Sequence, residues 1–155
     1  MAATTSHSPT APAEPRSGPP RRVRAGLAAA ADAVGVLVFA VAGRASHSGD
    51  DALADVARIA WPFLAALVVA WVVTRAWRAP AQLWPRGVAI WALTWGLGMV
   101  LRGLAGDGRA PAFLAVAAAA LGLLIIGWRG VVVGISAARR RTGPPAGSGP
   151  GAARR

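Results

Sequence analysis

The stretch Arg75-Ala-Trp77-Arg78-Ala-Pro80-Ala-Gln82-Leu-Trp84-Pro85-Arg86, continuing as Gly87-Val-Ala-Ile-Trp91-Ala-Leu-Thr94-Trp95-Gly96-Leu-Gly98-Met99-Val-Leu-Arg102-Gly103, decides the fold. Its first half is a short basic segment punctuated by Trp and Pro. Its second half is an uncharged apolar run of spanning length. A basic link leading into such a run is the pattern of a polytopic membrane protein, and the chain on either side repeats it.

Composition agrees. Of 155 residues, 55% are hydrophobic and 15% charged, and the mean hydropathy is positive. A typical soluble domain carries about 25% charged residues to cover its surface. Here the charges gather in tails and short links and leave long uncharged runs between them. The net charge of +11 does not form one basic face. The arginines instead flank apolar runs, which points to topology and lipid headgroups and away from nucleic acid. Cysteine is absent, which excludes disulfides, thiolate metal sites and a cysteine nucleophile. Arginine supplies all the Lys/Arg charge, alongside heavy Ala, Gly and Pro use, as a GC-rich genome would dictate. A single Arg therefore carries less functional meaning than usual.

Working outward, four apolar runs fall at about residues 25–42, 59–74, 87–101 and 110–127, the last continuing as helix to 138. Residues 1–22 and 142–155 are rich in Ala, Pro, Ser, Thr and Gly, cannot build a core, and read as disordered tails. The first run follows Arg21-Arg22-Val23-Arg24, and Ala40-Val41-Ala42 has the form of a signal-peptidase site. A long tail ahead of the basic cluster and Asp32 inside the apolar run weigh against cleavage. Ser48-Gly49-Asp50-Asp51 fits a capping box leading into the second span, with Pro62 in that span's first turn. Trp61 and Trp71 sit towards its opposite ends, as interfacial aromatics do. The expected fold is all-α: four transmembrane helices in a compact bundle over residues 23–141.

Arginine asymmetry sets the orientation. Arg16, Arg21, Arg22 and Arg24 precede span one, Arg75, Arg78 and Arg86 lie between spans two and three, and Arg129 and Arg139 to Arg141 lie at the end. The other side carries Arg44, Arg58, Arg102 and Arg109, mixed with Asp50, Asp51, Asp55 and Asp107. By the positive-inside rule both termini are cytoplasmic, in a bacterial plasma membrane.

A set of linked motifs then narrows the family. Gly43-Arg44-Ala-Ser46-His47, Trp61-Pro62-Phe63-Leu64, Arg75-Ala-Trp77-Arg78-Ala-Pro80, Leu83-Trp84-Pro85-x-Gly87-Val88, Gly98-Met99-x-Leu101-Arg102 and Leu123-Leu124-x-x-Gly127-Trp128-Arg129 occur in that order. Together they resemble the small bacterial and archaeal membrane proteins grouped as domain-of-unknown-function family 3054. The resemblance runs from about Asp32 to Arg129 and implies a four-span membrane architecture, with no established activity or catalytic residues. Arg109-Ala110-Pro111 departs from the pattern, where a Thr and no Pro is expected.

Three groups of residues are candidates for a site. Asp32 lies inside a span, where a carboxylate is costly and is a functional hypothesis by default. It shares a helical face with Ala25, Ala28, Ala29, Gly35 and Phe39, roughly 10 Å from the cytoplasmic edge. Arg75 and Arg129 end their helices on that side, Arg129 on a stripe with Ala118, Gly122 and Ile125 or Ile126. A structural ion pair or hydrogen bond between helices, a proton- or substrate-binding carboxylate, and a carboxylate at the lipid edge all fit. An external loop cluster holds Arg44, Ser46, His47 and Arg102 with Asp50, Asp51 and Asp107. A flexible loop does not hold a hydrolytic triad in register, and no second nearby His completes a metal site. Finally, Trp84, Trp91 and Trp95 fall near one face of span three, suited to packing and interfacial anchoring or to stacking a flat cation. Thr94 with Gly98 and Gly130 with Gly134 are small-xxx-small pairs for close helix contact.

The expected function is a non-enzymatic integral membrane module that self-associates or binds a membrane protein partner in the lipid bilayer, without cofactor or metal. The alternative is a small oligomeric transporter or exporter using Asp32 as an intramembrane carboxylate. A membrane enzyme built on Ser46 and His47 ranks third.

Overall fold

The computed structural model describes residues 20–44, 51–107 and 110–141. Nearly all of both expected tails, with Ser46, His47 and Asp50, lies outside the described residues. Four helices follow in order: α1 (Arg21–Arg44), α2 (Ala52–Thr74), α3 (Val88–Leu104) and α4 (Pro111–Arg141). Among the described residues no strand occurs. All four helices, α3 with the turn before it, are long and apolar enough to cross a membrane.

Each helix runs on past its apolar core because a polar or charged residue ends a hydrophobic run without ending a helix, and Arg is a good helix former. Arg21 and Arg22, expected in the tail, form the first turn of α1. Likewise α4 continues through Arg139, Arg140 and Arg141 rather than stopping at 127 or 138. Its start at Pro111 uses a residue whose missing N–H is no loss at the first helical position. Ser48, Gly49 and Asp50 of the expected capping box lie outside the described residues; Asp51 is the N-cap of α2 and makes no side-chain capping bond. With α2 opening at Ala52, Pro62 lies in the helix interior rather than its first turn, so the ladder lacks one N–H there.

Two short turns join α2 to α3. Arg75 ends α2 in the left-handed conformation (φ 49°, ψ 48°), its N–H bonded to the carbonyls of Trp71 and Val72. A 3₁₀ turn over Ala76–Arg78 follows, then a wide turn over Leu83–Gly87 in which Trp84 is extended. Gly87 N–H bonds the Gln82 carbonyl at 3.0 Å, and the Trp84–Pro85 peptide is cis.

Neighbours in sequence are neighbours in space: α1 packs on α2, α2 on α3, α3 on α4, and α4 closes against α1. Short connections make the order antiparallel. The buried positions trace one stripe per helix: Ala28, Asp32, Val36 and Phe39 on α1, and Ile59, Phe63, Ala66 and Ala70 on α2. On α3 they are Ile90, Thr94 and Gly98, and on α4 Ala117, Leu121, Ile125 and Arg129, every fourth residue. The α4 stripe is turned one residue from the expected Ala118 and Gly122. Phe39 meets Phe63 edge-to-face, with ring centroids 5.2 Å apart, and also touches the Phe113 ring at 6.2 Å.

The Thr94–Gly98 pair lets α3 approach α2 closely, because a Cβ on Gly98 would overlap the buried Phe63 ring. Gly98→Leu should therefore destabilise the bundle by about 1–3 kcal/mol or more, as overpacking does. Gly96→Leu, at a position with open space, should leave the unfolding midpoint in detergent unchanged.

Candidate functional site

A charge buried in a helical bundle needs a partner and a full set of hydrogen bonds, because desolvation costs several kcal/mol per ion. Asp32 and Arg129 are both fully buried. They meet in a two-pronged pair: Arg129 Nη1 donates to Asp32 Oδ1 at 2.6 Å and Nη2 to Oδ2 at 2.7 Å. This fork geometry is the strongest arrangement open to arginine and carboxylate.

The carboxylate accepts two further bonds. Trp71 on α2 donates its indole N–H to Oδ2 at 2.9 Å, and Trp128 on α4 donates to Oδ1 at 2.9 Å. Four donors meet a carboxylate's roughly four acceptor sites, so Asp32 is saturated. The guanidinium is nearly so. Its Nε donates to the Pro80 carbonyl at 3.2 Å and Nη1 also reaches the Ile125 carbonyl at 2.6 Å. The Arg129 cation lies 4.4 Å from the centroid of the Trp128 ring.

Arg129 thus ties α4 to α1 and to the α2–α3 link. Gly87 makes room for it: a Cβ there would come within 2.9 Å of Arg129 Cδ and 3.1 Å of the Gln82 carbonyl. Arg75, grouped with Asp32 and Arg129 on sequence grounds, is not part of the cluster. It is exposed, and its position is set by capping α2. Reading Trp71 as an interfacial anchor also fails, since its N–H is spent on Asp32. Trp71, Trp128, Pro80 and Gly87 escaped sequence reasoning. Trp71 and Trp128 both carry a donor that must find a partner when buried, a usable cue beside a lone intramembrane acid.

The three tryptophans of the expected face separate. Trp91 and Trp95 donate across to α4, to the carbonyls of Ala118 at 2.9 Å and Leu114 at 3.1 Å. Gly122 leaves space for the Trp91 indole. Trp84 lies in the irregular turn before α3 and is 73% exposed. No continuous three-ring platform results.

At the opposite end, Asp107 accepts from Arg58 Nη2 at 2.5 Å and lies 3.7 Å from Arg102. The Arg102 guanidinium stacks 4.5 Å from the Phe113 centroid. Arg44 ends α1, and Ser46 and His47 lie outside the described residues. Arg58, an exposed partner, makes this a surface ion pair of small energetic weight.

The protein family described as "Protein of unknown function (DUF3054)" matches residues 29–132, which take in the buried pair and the whole α2–α3 link. The chain belongs to this family. No curated protein and no solved structure matches it. In this member of the DUF3054 family, the matched segment begins three residues before Asp32 and ends three after Arg129.

Loss of either indole donor leaves Asp32 under-bonded in a dry site. Trp71→Phe and Trp128→Phe should each cost about 1.5–3 kcal/mol, the range for hydrogen bonds to charged groups. Unfolding in mixed micelles measures this, with Trp61→Phe, at a 46% exposed ring, as the near-neutral control.

Proposed function

We propose that this DUF3054 protein is a non-enzymatic four-span module of the bacterial plasma membrane, with both termini cytoplasmic, that self-associates through α4. The observation that carries it is the saturation of Asp32. A carboxylate that cycles protons or cargo needs a free acceptor and access to water, and Asp32 has four bound donors and no exposed surface. That weighs against an exporter using Asp32 and in favour of a structural clasp.

Association through α4 rests on its uncovered surface. Only 17% of its most apolar stretch is buried, against 39% for α2. Gly130 and Gly134 have nothing within 4 Å of where a Cβ would stand, so this small-xxx-small pair is unused among the described residues. Between helices in lipid, such pairs permit close backbone approach.

The orientation follows from arginine. Arg21, Arg22, Arg24, Arg75, Arg78, Arg86 and Arg139 to Arg141 all belong to the end of the bundle that holds the α2–α3 link. The positive-inside rule assigns that end to the cytoplasm.

Crosslinking in native membranes tests association. The wild-type chain should give a dimer or small oligomer, and Gly130→Leu with Gly134→Leu should abolish it without lowering monomer stability. A monomeric wild-type chain in lipid would contradict the proposal. A reporter fused after Arg141 should be active only in the cytoplasm.

A further inference from the structure

On the side of the ion pair that holds the α2–α3 link, α1 and α4 both run on beyond Asp32 and Arg129. Arg21 precedes Asp32 by eleven residues and Arg141 follows Arg129 by twelve, so these helix ends are about 16–18 Å long at 1.5 Å per residue. Between them and the link lies a cavity of about 730 Å³. That is within the roughly 300–1,000 Å³ of small-ligand sites.

Its lining is divided by chemistry. Arg21, Arg24 and Arg78 stand around it, and Arg22 joins Arg21 and Arg78 in an adjoining hollow. Leu27, Ala31, Trp128 and Val132 make an apolar wall. Among the described residues no acidic side chain lines it. The nearest buried carboxylate, Asp32, is fully engaged by Arg129. Unlike Arg58, Arg102 and Arg129, the guanidinium groups of Arg21, Arg24 and Arg78 form no ion pair among the described residues. Three cations without an ion pair among the described residues therefore border an apolar slot that starts where the helices leave the bundle.

We propose that this cavity binds one anionic phospholipid of the adjoining leaflet. Its phosphate sits among Arg21, Arg24 and Arg78, and one acyl chain lies along Leu27, Ala31, Trp128 and Val132. A soluble anion has no use for the apolar wall. A zwitterionic headgroup brings its own cation next to the arginines, which repel it. The seated chain would press on Trp128, a donor to Asp32, and on Pro80, whose carbonyl holds Arg129, so the lipid buttresses the ion pair. This site is independent of association through α4.

Native mass spectrometry of the full chain released from micelles, titrated with phosphatidylglycerol and with phosphatidylcholine, reads the preference. Phosphatidylglycerol should bind about tenfold tighter or more, as expected for several arginines near one anionic headgroup. Arg21→Gln/Arg24→Gln/Arg78→Gln should reduce it to the phosphatidylcholine level. Arg139→Gln/Arg140→Gln/Arg141→Gln removes the same charge elsewhere and should leave the preference intact. Ala31→Phe fills the apolar wall with every charge retained and should also abolish it. Equal binding of the two lipids would overturn the assignment, as would an equal loss in the C-terminal variant or an unaltered preference in Ala31→Phe. Displacement of phosphatidylglycerol by glycerol phosphate would assign the arginines to a soluble anion and overturn it too.

Discussion

The Asp32–Arg129 pair sets the terms for the rest of the fold. Two opposite charges in the middle of a helical bundle are tolerated only when each is bonded almost completely, because neither water nor lipid supplies the missing partners. Meeting that requirement recruits a residue from nearly every part of the chain: Trp71 from α2, Trp128 and the Ile125 carbonyl from α4, and the Pro80 carbonyl from the α2–α3 link. Apolar stripes bring the four helices together in a non-directional way. The ion pair adds direction, fixing the rotation of α4 against α1 and the height at which the link folds over both.

That constraint bears on function. An intramembrane acid invites comparison with proton-coupled carriers, yet here its acceptor sites are filled by groups from two other helices, α2 and α4. The groups left without a partner among the described residues lie at the margins instead: an uncovered α4 face and three arginines beside an apolar slot. Both suit a protein whose surroundings are other helices and lipid headgroups.

Much of the architecture was legible in the sequence, for physical reasons. Apolar run length gives the four spans, and Asp32 and Arg129 stand out as the charges interrupting or closing them. Helix ends were less legible, because Arg21, Arg22 and Arg139 to Arg141 are helical although they are not apolar. Arg75 and Arg129 look alike in one dimension. What separates them is the turn after α2, which sends Arg75 outward in a left-handed conformation, and the four-residue stripe on α4 that carries Arg129 inward. Trp71 was misread because bilayer statistics favour the interface, whereas it spends its N–H inside the bundle, as Trp91, Trp95 and Trp128 do. The unused space beside Gly130 and Gly134 depends on which helices close the bundle, information no local pattern holds.

The central claim is that Asp32 and Arg129 form one structural unit, and a double-mutant cycle of unfolding free energies in lipid–detergent micelles tests it most directly. Asp32→Asn alone and Arg129→Gln alone each strand a buried charge and should cost about 3–5 kcal/mol. The double variant should lose far less than their sum, with a coupling of up to about 3 kcal/mol. Strictly additive losses, or single variants as stable as the wild type, would contradict the account.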